Sequence, residues 1–210
     1  MKLYVEGGGE TSTLKTDCRA GFSEFLRKAG LEGCMPRIVA CGSRNDAFDS
    51  FRTAVSLGEP ACLLVDSEVA VGDLNQQGKP DQWKPWEHLN QRDKWEKPQS
   101  ASGLDCHLMV QCMEAWFVAD RETAASFFGQ GFKMNKFPDV ARSIETVPKE
   151  QLYDALKNAT KECRKGRYDK GSHSFKLLAK LDPGKVASSS PWAKRLIDTL
   201  KESRRRTDRF

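Results

Sequence analysis

No apolar run in this chain approaches the ~20 residues that a membrane-crossing helix needs, so the sequence predicts no membrane partner. No signal-peptide pattern stands at Met1-Lys2, which leads directly into an apolar segment, and the expected location is the cytoplasm. The seven cysteines, Cys18, Cys34, Cys41, Cys62, Cys106, Cys112 and Cys163, form no CxxC pair. That argues against a zinc site or a disulfide framework and for reduced thiols. P-loop, internal repeat and low-complexity tract are also lacking. What remains, 210 residues at 39% hydrophobic and 30% charged, is the composition of a globular chain with a sizeable core rather than a disordered one.

The most informative stretch is Cys62-Leu63-Leu64-Val65-Asp66-Ser67-Glu68, an apolar run that ends in two acids. Such a run reads as a strand buried on both faces at the centre of a parallel sheet. Its acids then lie at the carboxyl edge, where open α/β sheets bind ligands, and alternation along an extended chain puts Asp66 and Glu68 on one side. Two converging carboxylates repel each other unless a cation lies between them, and an all-oxygen set suits Mg²⁺ or Mn²⁺. A second short strand, Lys2-Leu3-Tyr4-Val5, ends in Glu6 and runs into Gly7-Gly8-Gly9-Glu10-Thr11-Ser12. The glycines permit a tight turn or a close ligand approach, and Thr11 or Ser12 can cap a helix. If the two strands are parallel neighbours, Glu6, Asp66 and Glu68 meet.

Between them, Leu14, Cys18, Phe22, Phe25, Leu26 and Ala29 recur at helical spacing over 12–30, with Gly30 as the stop. Pro36–Gly42 reads as another strand, followed by Ser43-Arg44-Asn45-Asp46. Arg44 and Asn45 then stand level with Glu6; Asn45-Asp46 reads equally as the cap of a helix over Ala47–Leu57.

Residues 69–104 carry scattered glycines and prolines with Trp83, Trp86 and Trp95, and form an irregular insertion in which Trp86 either packs or stacks on a base. His107–Val110 reads as a fourth strand and Met113–Asp120 as the helix after it. Glu114 lies in that apolar stretch and needs an arginine, a metal or an opening; His107 is either a base or a hydrogen-bonded core histidine. Asp120-Arg121-Glu122 reads as the cap of a helix through Phe128. Further helices are expected at Pro148–Cys163, at Ser174–Leu181 with Asp182-Pro183-Gly184 as its stop, and at Pro191–Ser203, where Trp192, Leu196 and Leu200 share a face.

Charge is uneven within the net +5: basic residues dominate from Lys149 to the Arg204–Arg209 tail. A basic surface beside a carboxylate centre suits a polyanion. The segment Lys165–Ser174 gathers glycines, bases, Tyr168 and His173 ahead of a helix N-terminus, and reads either as a phosphate loop or as a solvated connector. The expected organisation is an α/β domain with a mainly parallel sheet over 1–120 and a helical, basic accessory region over 121–210.

Glu6 before its glycines, with Asp66-Ser67-Glu68 after a later strand, resembles the TOPRIM domain of topoisomerases, primases and OLD-type nucleases, whose motif is a strand-end Glu and an Asp-x-Asp. Val5–Gly9, Pro36–Asn45, Leu64–Glu68, His107–Asp120 and Lys170–Phe175 together are similar to a bacterial TOPRIM-like family often encoded beside an ABC/SMC-like ATPase and linked to anti-phage defence. Position 68 departs from the wider pattern, carrying Glu where Asp is usual.

The resemblance implies a Rossmann-like TOPRIM fold and Mg²⁺- or Mn²⁺-dependent cleavage of DNA or RNA, with an ATPase partner. Asp66 and Glu68 would hold the ion, and Glu6 would be a general acid/base or a further ligand. Glu10, Glu114 and Asp120 are spare acids for a second ion, and Arg44, Lys170 and His173 are candidates for holding phosphate. The competing readings are an inactive sensor or scaffold subunit and a small-molecule phosphoesterase.

Overall fold

The computed structural model describes residues 1–139 and 143–207, with side chains through 203. The side chains of the basic tail over 204–209 lie outside the described residues. Four short apolar segments form an all-parallel sheet: β1 (Lys2–Val5), β2 (Arg37–Ala40), β3 (Ala61–Asp66) and β4 (Cys106–Met109), in the order β2-β1-β3-β4. β1 pairs with β2 on one side and with β3 on the other, Val5 facing Ala40 and Leu64. The chain thus reverses its direction of travel across the sheet between β1 and β3. In open α/β sheets a ligand crevice lies at the carboxyl ends of such a strand pair.

Alternate residues of the strands feed two hydrophobic clusters. Leu3, Val5, Cys62 and Leu64 point to one face, and Tyr4, Leu63 and Val65 to the other. β3 is buried along its whole length, as a central strand covered on both faces must be. The Leu3 face is covered by α1 (Ser12–Leu26), α4 (Ala115–Ala119), α5 (Arg121–Phe128), α6 (Lys149–Ala159), α7 (Lys170–Leu178), α8 (Pro183–Ser189) and most of α9 (Pro191–Thr207). The Tyr4 face is covered by α2 (Arg44–Ser56) and α3 (Pro85–Asp93). Residues on both sides of position 120 therefore share one core cluster, from Leu3 to Leu200. No helix among the described residues is long and apolar enough to cross a membrane.

Several element boundaries differ from the sequence reading. The helix read over 12–30 is α-helical to Leu26 and continues as a π-helical turn, Arg27–Leu31, in which Gly30 has φ +86°. α2 begins at Arg44, because the Ser43 hydroxyl, rather than Asn45 or Asp46, accepts the Asp46 N–H at 3.1 Å. α7 begins at Lys170 rather than Ser174, since the Asp169 carboxylate caps it by accepting from Ser172 N–H at 2.8 Å. Asp182-Pro183-Gly184 starts a helix instead of stopping one: Asp182 is the N-cap and Pro183 the first residue of α8, where proline's missing N–H costs nothing. Inside the 69–104 insertion, Trp86 donates its indole N–H to Ser102 O at 2.8 Å and stacks on Phe51, so it packs rather than waits for a base.

Candidate metal centre

Glu6 is the first residue after β1, and its N–H still bonds to Leu64 O at 3.0 Å, which ties it to the end of β3. Gly7, Gly8 and Gly9 all have positive φ, at 132°, 89° and 49°, so the chain turns away directly behind the carboxylate. A Cβ on Gly7 would stand 2.9 Å from Phe175 Cζ, and one on Gly8 would stand 2.9 Å from Lys15 Cα. Only glycine lets this loop lie flat against α1 and α7.

Asp66 closes β3 and is 2% exposed. Its Oδ1 accepts the Met113 N–H at 2.9 Å, and its own N–H donates to Glu6 Oε2 at 3.0 Å. Glu68 reaches the same place by a different route from the one alternation predicts. The β3–β4 ladder continues past the strands through Ser67 N–H to Met109 O and Glu68 N–H to Gln111 O, while Glu68 itself adopts φ +68°. Left-handed backbone at a non-glycine residue is uncommon and here turns the side chain to the crevice. One carboxylate oxygen from each of Glu6, Asp66 and Glu68 lies within 4.8 Å of the others.

Besides Arg92, which stands 3.8 Å from Glu68 Oε2, three cations surround the triad. Arg44, the first residue of α2, donates to Glu6 Oε2 at 3.2 Å and to the Asp66 carbonyl, stands 3.9 Å from Glu68, and is anchored by Asp93 at 2.6 Å. Its guanidinium lies 5.0 Å above the Trp95 ring. Lys149, the first residue of α6, donates to Glu68 Oε1 at 2.7 Å and stands 3.7 Å from Asp66 Oδ2. Lys170, the first residue of α7, lies 4.0 Å from Asp66 Oδ2 and 3.7 Å from Glu114 Oε1, and donates to Tyr153 Oη at 3.2 Å. Each of these three cations opens a helix at the sheet's carboxyl edge.

The residues fit a hard divalent ion. Burial, reinforced by the neighbouring charge of Glu6, pushes the Asp66 carboxyl up to about 8 against the pull of Lys170 and Lys149. Burial also raises Glu6, although Arg44 and the Asp66 N–H oppose it. Burial would raise Glu68 as well, but the Lys149 bond and the charges of Lys149, Arg44 and Arg92 outweigh it, leaving a lowered value. Converging oxygens whose ionised forms repel one another could hold a divalent cation, which would favour the charged form of all three.

Compared with known proteins, residues 5–201 match the family model described as Domain of unknown function (DUF4276). The chain belongs to this family. No curated protein and no solved structure matches it. The triad and the cation ring of this DUF4276 chain all fall within the matched span.

The other residues singled out in the sequence lie elsewhere or serve other ends. Glu114 is fully buried; its Oε1 accepts from Tyr168 Oη at 3.0 Å, while Oε2 has no hydrogen-bond partner. Its partners are thus a tyrosine and Lys170, not an arginine, and through Lys170 it stands behind Asp66. Glu10 is exposed and is not part of the triad.

Asp120 is not available to an ion. It caps α5 through Thr123 N–H, accepts Asp182 N–H at 3.0 Å and pairs with Lys185 at 2.8 Å. His173 does not reach for phosphate either: its Nδ1 accepts Asp169 N–H at 3.0 Å and its ring lies against Phe128. Because α7 starts four residues earlier than expected, Lys170 takes the place at the site and His173 lies one turn on. His107 is buried against Arg195 at 3.1 Å, and burial with that cation drives its pKa well below the usual imidazole value, so it is a neutral core residue.

Lys149 is the functional candidate that sequence reasoning missed. Its signal was Pro148, which opens α6, followed by a lysine in the first turn. Lys149 N–H also donates to Gln111 Oε1 at 3.3 Å, fixing the start of α6 to the residues just beyond β4.

Proposed function

We propose that this chain is a Mg²⁺- or Mn²⁺-dependent hydrolase of phosphodiester bonds in nucleic acid. The observation that carries the reading is the convergence of Glu6, Asp66 and Glu68 within 4.8 Å at the β1/β3 switch point, ringed by Arg44, Lys149 and Lys170. Carboxylates that gather a cation, with cations at their rim that gather an anion, complement a metal-bound phosphate. Glu6, Asp66 and Glu68 would hold the ion, which supplies Lewis-acid charge at the phosphate and lowers the pKa of bound water. Lys149 and Lys170 hold the non-bridging oxygens, and Arg44 orients Glu6 and the end of β3.

Charge beyond the site supports a polymer over a small phosphoester. The exposed Lys157, Lys161, Arg164, Lys165 and Arg167 face a single acid in that stretch, Glu162, which is itself paired with Lys133. The stretch leads directly into Asp169 and Lys170, so a phosphate chain leaving the triad meets further cations. The resemblance to TOPRIM-like proteins supports the same reading and adds an ATPase as the partner that controls it.

The test is a cleavage assay on plasmid DNA, single-stranded DNA and tRNA with Mg²⁺, Mn²⁺ or chelator, with and without a co-encoded ATPase. Wild type should cut only with metal, and Glu6→Ala and Asp66→Ala should each lose roughly 100-fold or more. Undiminished cutting by Asp66→Ala would overturn the assignment. Absence of cutting from a folded, metal-binding protein would favour a sensor or scaffold subunit.

A further inference from the structure

A cavity of about 320 Å³ opens at the triad and extends past the groups that would hold metal and phosphate. Glu6, Asp66 and Lys170 form one side of it. The rest is apolar side chain and glycine backbone: Leu14 from the first turn of α1, Met109 and Met113 from the end of β4 and the turn after it, and Phe175 from α7. The four apolar side chains contribute nothing to holding a phosphate or an ion. They complement the part of the substrate next to the phosphate, and that part must have apolar faces.

In a nucleic acid the group that meets this description is the base. Aromatic and thioether side chains pack well on the faces and edges of planar rings. The volume lies at the lower end of small-ligand pockets, the size range of one nucleoside. We infer that this recess is a subsite for one unpaired nucleobase, adjoining the phosphate held at Glu6, Asp66 and Glu68. The inference rests on the phosphodiesterase reading and narrows it: the bond cut lies beside a base that is single-stranded or extruded, since a base packed on Met109, Met113 or Phe175 has left its stack.

The backbone leaves room to test this. Gly171, in the first turn of α7, lines the cavity, and a Cβ there would have Leu14 Cδ2 at 3.7 Å and Asp169 Oδ1 at 3.5 Å as near neighbours, ordinary contact distances. A larger side chain at 171 therefore grows across the recess towards Leu14, and one at 14 grows back towards 171.

The experiment is calorimetric titration, in the presence of Mg²⁺, of ribose 5-phosphate and of adenosine and cytidine 3′- and 5′-monophosphates. In the wild type at least one nucleotide should bind tenfold or more tighter than ribose 5-phosphate. Gly171→Val and Leu14→Trp should each reduce that ratio below twofold, with circular dichroism confirming their fold. Ribose 5-phosphate binding within twofold of every nucleotide would overturn the subsite while leaving the phosphoester reading intact. A tenfold nucleotide preference that survives in both folded variants would overturn it too, by placing the base elsewhere. Failure of every phosphate ligand to bind would overturn both.

Discussion

Lys149 and Glu68 meet across 81 positions of sequence, the ammonium donating to Oε1 at 2.7 Å. The contact joins the accessory helices to the sheet edge and puts a positive charge where an ion held by Glu68 would feel it. Two unit charges about 4 Å apart repel by roughly 1 kcal/mol in water and roughly 4 kcal/mol at a protein surface.

Lys149→Ala should therefore bind Mn²⁺ at least about fivefold more tightly than wild type. Nucleic-acid cleavage should fall in the same variant, since a phosphate-holding cation is gone. Calorimetric Mn²⁺ titration beside a cleavage assay reads the two effects. Weakened Mn²⁺ binding would show that Lys149 shapes the acids rather than competing with the ion.

The opposition of stability and function at Asp66 gives a second prediction. A carboxyl pushed up to about 8 by burial and by Glu6 binds its proton more tightly in the folded than in the unfolded chain. In chelator its contribution therefore declines as pH rises from about 4 to about 8. Asp66→Asn keeps an acceptor for Met113 N–H and removes the charge. Thermal melts in chelator at pH 8 should show the variant above wild type, by about 2–4 °C for each kcal/mol gained, and added Mg²⁺ should stabilise wild type alone. A variant less stable than wild type at pH 8 would contradict this.

Asp120 tests the opposite sign at a site with no catalytic part. Burial alone would raise its pKa, but the Lys185 bond and the Thr123 and Asp182 N–H groups hold it below the usual carboxylate value. Its contribution is thus present above about pH 4 and lost as pH falls through the lowered value. Asp120→Ala should cost roughly 1–2 kcal/mol at pH 7 through loss of the α5 cap, flatten the acid limb of the stability curve, and leave metal binding unchanged. Denaturant melts at pH 3–7 read all but the last. Loss of Mn²⁺ binding would instead return Asp120 to the metal centre.

The sheet and the triad were legible because both are written locally. β3 is an unbroken apolar run, and Glu6 and Asp66 stand at strand ends, so parallel pairing alone brings them together. Glu68 arrived at the right place for the wrong reason, since a left-handed residue rather than strand alternation turns it inward. The misses came from capping contests. Ser43, Asp169 and Asp182 each took a helix N-cap within a few residues of other candidates, and spacing does not rank such neighbours. That shift placed Lys170, not His173, at the acids. Lys149 was only half legible: Pro148 marks the start of α6, but nothing around it says that α6 starts beside β4, because the tie is the tertiary bond to Gln111.

The most direct test of the account is Mn²⁺ anomalous scattering from crystals of wild type and of Asp66→Ala. A peak is expected within coordination distance of carboxylate oxygens from Glu6, Asp66 and Glu68 in wild type, and its loss in the variant. A Mn²⁺ peak bound elsewhere, with Lys149 still donating to Glu68, would contradict it.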